Sequence, residues 1–244
     1  MMVTRPYISI RRLLKALGRD RSGLALIEFA YTLPIMLVLI TGGAELANYS
    51  VTTMRLSALA LQVADNASRI GEGDPLSLKK ISEAQINDLL LGALAQGGKM
   101  NLNGTYAEKQ ADGTSVVKNK ARIIISSLEP DPDTTNHPGK DYIHWQRCYG
   151  QATEYTPQYG VALDDDLAGM GPAGRQAYAP EGTAVIFVEV YFRYEPLFPV
   201  LQSNRFGVMS YRDMKAIAAM IVRDDRDLST LYNTEGVSPS TCAT

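Results

Sequence analysis

Glu28 is a carboxylate placed where a carboxylate is costly. It stands five residues into an apolar run, LALIEFAYTLPIMLVLITGGA, that begins at Leu24 directly after Gly23. An acid at the centre of a lipid span costs about 2.5–3.5 kcal/mol on insertion scales, so it is a functional group by default. Near the end of a span it also snorkels to the headgroups, which lowers the cost. Cys148 and Cys242 are the two thiols; the even count suits one disulfide, and two unrelated thiols satisfy it as well. The two histidines, His137 and His144, lie near Asp131, Asp133 and Asp141. Their spacing follows no zinc pattern, and Asp131-Pro-Asp133 reads as a turn. Asp164-Asp-Asp166 departs from the EF-hand arrangement and reads as a solvated loop. Gly169-Met-Gly-Pro-Ala-Gly174 has no Lys-Ser/Thr after it and suits a rigid turn better than a phosphate cradle. There is no G-x-S-x-G and no Ser-His-Asp order. No catalytic residue, metal or cofactor is expected.

The apolar run needs a membrane to position it. From Leu24 to Ala44 it is about 21 residues, roughly 30 Å as helix, enough to cross a bilayer. Residues 1–23 carry six bases (Arg5, Arg11, Arg12, Lys15, Arg19, Arg21) against Asp20, leaving 18 bases and 25 acids in residues 24–244. A basic head before a span and an acidic body after it is the positive-inside arrangement. The expectation is a single-pass membrane protein with a basic cytoplasmic leader, 1–23, and an exported body, 72–244. No A-x-A-like site follows the apolar core, so the segment should be retained. An acidic body argues against nucleic acid as a partner. An oxidising location favours pairing of the thiols.

The helical pattern continues past the span. Leu46, Tyr49, Val51, Met54, Leu56, Leu59, Leu61, Val63 and Ala67 keep an approximate stripe, and Gly71-Glu-Gly-Asp-Pro75 supplies a stop. One long helix over 24–71 follows, with Pro34 as a kink and Gly42-Gly43 as a soft point. Ser77–Leu94 reads as a second helix. Beyond Gly97-Gly98 the pattern turns to β. Ala121–Leu128, Tyr142–Tyr149 and Thr183–Tyr194 are strands, while Gly207–Arg223 reads as either strand or helix. Residues 130–140 and 150–182 are loops. Trp145 is expected to pack against the bridge at Cys148, and Arg223–Asp227 to form a salt-laced edge or an inter-subunit contact. The class is α+β, a long transmembrane helix followed by a globular body with an antiparallel sheet.

Gly23-Leu-Ala-Leu-Ile-Glu28-Phe29 followed by Pro34 resembles the TadE-like minor pilins (pseudopilins) of the tight-adherence, type IVc, pilus system. Tyr142-Ile-His-Trp-Gln-Arg-Cys148, Gly169–Gly174, Val188-Glu-Val-Tyr191, Tyr194-Glu-Pro-Leu-Phe198 and Val222–Leu228 resemble stretches of alphaproteobacterial pilus-assembly proteins of this type. The resemblance implies a pilin-like body and cleavage between Gly23 and Leu24 by a prepilin peptidase. Glu28 then becomes the fifth residue of the mature chain, followed by the aromatic Phe29. The acid would meet the amino terminus of a neighbouring subunit during assembly. The implied partners are that peptidase, other pilus subunits, an inner-membrane assembly platform and the lipid bilayer. The body is larger than in the shortest members, which keeps a TadG-like role open. The alternative is a membrane-anchored envelope domain that binds a ligand or acts as an enzyme.

Overall fold

The computed structural model describes residues 23–74, 77–109, 114–198 and 212–242, with Lys15 and Gly18 of the leader. The rest of the leader 1–23, Pro75, and residues 207–211 of the ambiguous segment lie outside the described residues. The chain divides into two compact units, Met1–Ala47 and Asn48–Thr244, and the boundary falls inside the first helix.

Helix α1 runs Leu24–Ala67 and is continuous through Pro34. Its first part is apolar on every side, with Leu26, Phe29, Tyr31, Ile35, Val38 and Leu39 all exposed. A helix apolar around its whole circumference has no polar face to give to water. The part beyond Asn48 is amphipathic. Leu56, Leu59, Ala60, Val63, Ala64 and Ala67 are buried, at three- and four-residue spacing. This corrects the broader stripe read from the sequence. Leu46, Met54 and Leu61 stay exposed, because 100° per residue carries Met54 and Leu61 away from the Leu56–Leu59 face. The helix also ends at Ala67, short of residue 71. The Arg226 guanidinium donates to the Ala67 and Ile70 carbonyls (3.2 and 2.8 Å), satisfying groups that the helix leaves open.

Helix α2 is Glu83–Gly97, not Ser77–Leu94. Ser82 caps it: its hydroxyl accepts from the Gln85 N–H and the Gln85 side chain accepts from the Ser82 N–H. This reciprocal cap fixes the start at Ser82. The preceding residues pair instead as extended chain, with Lys79 bridging Arg226 and Ser82 bridging Tyr232.

Among the described residues six strands follow: β1 (Thr105–Lys109), β2 (Ser115–Asn119), β3 (Ala121–Pro130), β4 (Asp141–Tyr149), β5 (Val185–Tyr194) and β6 (Arg212–Ile221). β1 and β2 form an antiparallel hairpin that the sequence reading did not name. The others form an antiparallel sheet in the order β4-β3-β5-β6. The described part of Gly207–Arg223 is therefore chiefly strand, and its ten-residue register with β5 decides the ambiguity.

Both faces of the sheet are covered. On one, Ile123, Ile125, Trp145, Ile186, Val188, Val190 and Phe192 join the buried stripes of α1 and α2 in the main core. On the other, Leu128, Ile143, Val185 and Phe187 pack with Met170 and with Tyr159 and Leu167 from the 150–182 segment. Beside them Ile124, Cys148 and Tyr191 form a third cluster with Tyr155 and Cys242. Trp145 thus packs on the helix side while Cys148 lies across the sheet, which corrects the expected Trp145–bridge contact. Residues three apart on a strand face opposite ways.

Candidate functional site

Gly23 forms the turn before α1, and its carbonyl accepts the Ile27 N–H at 3.2 Å. A Cβ on Gly23 would meet nothing within 4 Å. The fold therefore places no packing demand for glycine there. Leu24 opens the helix, and Glu28 and Phe29 follow on its exposed surface. The best 18-residue window of α1 has mean hydropathy 2.1 and none of it is buried. Among the described residues this is one helix long and apolar enough to cross a membrane. In the other unit, Val51, Met54 and Leu61 leave a second apolar strip exposed on α1.

Cys148 and Cys242 are joined in a disulfide with Cα atoms 4.8 Å apart. The Cys148 N–H donates to the Ser240 carbonyl at 2.7 Å, and Asn87 bonds both Ser238 and Ser240. The tail is thereby tied to β4 and to α2.

The titratable groups singled out by sequence fall into separate clusters. A β-bulge between Ser127 and Leu128 leaves His144 without a cross-strand partner. Bulges re-aim side chains, and here the His144 ring reaches Glu129 (Nδ1 to Oε2, 2.9 Å). The Ser127 hydroxyl also donates to Glu129, at 2.8 Å, so this serine is bonded to the acid and not to the histidine. That is not the nucleophile–base order of a hydrolase. His137 pairs with Asp131 at 2.9 Å, and Asp165 lies close enough that ligand atoms of all three fall within 4.8 Å of one another. Asp131 already accepts from the Asp133 and Asp166 N–H groups, so it ties its loop together. Asp133 is used on Thr135 and Asn136, Asp141 on the Ala179 N–H, and Asp164 on the Val161 N–H. Gly169–Gly174 is a tight turn that drives Met170 into the core. Gly169 has φ +118°, and a Cβ there would lie 2.4 Å from the Ala177 carbonyl oxygen.

Several buried charges were not singled out by sequence. Glu83 at the start of α2 takes two hydrogen bonds from the Arg147 guanidinium on β4. Glu189 is fully buried mid-strand, accepting from the Tyr191 hydroxyl at 2.6 Å and from the Gln158 N–H. Burial pushes its carboxyl above the ordinary range. A lone acid inside the apolar run TAVIFVEVYF was the available signal. Within Arg223–Asp227, Arg223 pairs with Asp65, and Asp224 with Lys79. Asp227 is held down to about 2 by bonds from Ser229 and Tyr232.

The two histidines set a pH dependence. The hydrogen bond to Glu129 raises the pKa of His144, and that to Asp131 raises the pKa of His137. A raised folded value means stability fully present below the ordinary value of about 6.5 and lost as pH rises through the folded value. The thermal midpoint of the body should fall between pH 6 and pH 8.5. His144→Gln should flatten that fall, and an unchanged slope would exclude His144 as its source.

Comparison with family models, curated proteins and solved structures finds no match for this chain.

Proposed function

We propose that this chain is a TadE-like minor pilin, processed between Gly23 and Leu24, that takes part in assembling a tight-adherence (type IVc) pilus used in surface adhesion. The observation that carries the reading is the start of α1. The first part of the helix, residues 24–44, is exposed and apolar on all sides and holds one acid, Glu28, five residues after a glycine that the fold itself does not require. Removing the leader would create an ammonium at Leu24. A neighbour's Glu28 would then be its partner in lipid, where an unpaired charge is costly. The basic leader supports a cytoplasmic N-terminus with the body outside. The disulfide supports an oxidising compartment for the body. The partners of this reading are a prepilin peptidase, other pilus subunits, an assembly platform and the bilayer.

The test is the intact mass of the protein taken from its native membrane, with an N-terminal peptide map. The expected chain begins at Leu24. Gly23→Leu should leave the long form, because a bulky side chain blocks an extended backbone from entering the peptidase. An intact leader in cells that contain the peptidase would remove the pilin reading. It would favour a membrane-anchored envelope domain instead.

A further inference from the structure

We propose that Arg122 is the cation of an oxyanion-binding cleft on the face of the sheet away from the helices, taking a free phosphate or a small carboxylate. Arg122 is the second residue of β3 and sits opposite Tyr191 of β5. Its neighbours Ile123 and Ile125 belong to the main core with the helices, which places Arg122 and Ile124 on the other face. The residue is 3% exposed, and its Nε has no hydrogen-bond partner.

The other buried charges have partners. Glu83 has Arg147, Glu129 has Ser127 and His144, Glu189 has Tyr191, and Arg226 has two carbonyls on one nitrogen while its Nη1 stays open. Among the described residues no carboxylate pairs with Arg122. Exposed Glu154 acts on it only at a distance, and burial pulls the guanidinium below its ordinary value. A desolvated cation without a counterion is a costly arrangement that an anion relieves, and a guanidinium fork suits two oxygens of one carboxylate or phosphate.

The surroundings form a recess. Arg122 lines a cleft of about 480 Å³ with Asn103, Gly150, Gln151, Thr153 and Ser240. The Asn103 and Gln151 amides and the Thr153 hydroxyl are of the kind that complete an anion's hydrogen bonds, while the Ser240 hydroxyl is spent on Asn87. Gly150 sets the close approach. Its φ is +107°, and a Cβ would stand 2.4 Å from the Ala121 carbonyl oxygen and 3.0 Å from the Arg122 Cα. Only glycine lets the loop leave β4 over Arg122 in this way. The opposite wall is the tail, held by the Cys148–Cys242 bridge and the Cys148 N–H to Ser240 bond.

The experiment titrates the full chain in nonionic detergent with inorganic phosphate and, separately, with malonate. Ionic strength is held constant with sodium chloride, and binding is followed by calorimetry. Saturable binding of either anion is expected, and which of the two binds more tightly identifies the class. Arg122→Met should weaken it at least tenfold and, without anion, raise the thermal midpoint by removing an uncompensated buried charge. If that variant does not fold, Glu154→Gln at an exposed position serves. Loss of the competing carboxylate should tighten binding about threefold, and unchanged affinity would count against the site. No saturable heat with either anion, or equal binding by Arg122→Met, overturns the proposal.

Discussion

Cys242→Ser should lower the unfolding free energy of the body by about 4–5 kcal/mol, the largest single-residue effect expected in this chain. The bridge spans a sequence separation of 94. The chain-entropy account puts a closed loop of about this length at roughly 4.6 kcal/mol, less any strain relieved. The bridge also carries packing: Cys148 is buried with Ile124 and Tyr191, and Cys242 and Tyr155 lie against them. Urea unfolding of the full chain in detergent is the measurement. Reduction of the wild type should reproduce the mutant midpoint. Equal midpoints for oxidised wild type and mutant would mean that the Asn87 bonds to Ser238 and Ser240 suffice to hold the tail.

Glu28→Ala should abolish or severely reduce pilus production while leaving membrane insertion intact. The two halves have different physical origins. Insertion improves when a charge leaves an apolar span, by up to about 2.5–3.5 kcal/mol at its centre. Assembly, on the proposed reading, loses the partner for a neighbour's ammonium and so leaves that charge unpaired in lipid. Glu28→Gln separates charge from shape, and it should fail like alanine. Membrane fractionation and counts of surface pili read the two halves independently. Normal piliation in both variants would falsify the role given to Glu28, and loss of insertion would show that the acid has a structural task.

What was legible from sequence was whatever rests on local pattern. The long apolar helix from Leu24, the runs that became β3, β4 and β5, and the turn at Gly169–Gly174 all follow from composition and period over a few residues. The errors lie where distant residues decide. α1 ends at Ala67, where Arg226, far along the chain, takes the Ala67 carbonyl and that of Ile70 just beyond. α2 starts at Glu83 because a Ser82–Gln85 cap and the pairing of Lys79 and Ser82 with the C-terminal segment together keep the preceding residues out of the helix. That cap was readable. The pairing was not. β6 has helical propensity in Met214–Met220, and its register with β5 overrides it. The 150–182 segment reads as loop and is irregular, yet Met170 is fully buried and Leu167 pairs with Asp141 along β4. Polar, glycine-rich composition hides a covering role that depends on only a few apolar side chains. Arg122 was invisible for a similar reason: one arginine beginning an apolar strand looks like an edge residue until its face is known.

The manner in which the C-terminal segment closes the fold has a consequence for timing. A ribosome delivers β3 long before β6, Arg226 or Cys242. At about 5–20 residues per second, the roughly 120 residues between β3 and Cys242 take on the order of 6–24 s. Until residue 221 is made, β5 lacks one of its two neighbours, and until Arg226 is made, the end of α1 lacks the guanidinium that takes the Ala67 carbonyl. Nascent chains halted before residue 212 should therefore be open to protease across residues that resist it in the finished protein. A chain built this way leaves β5 unpaired on one side, and its tail unbridged, until the segment from 212 to 242 follows.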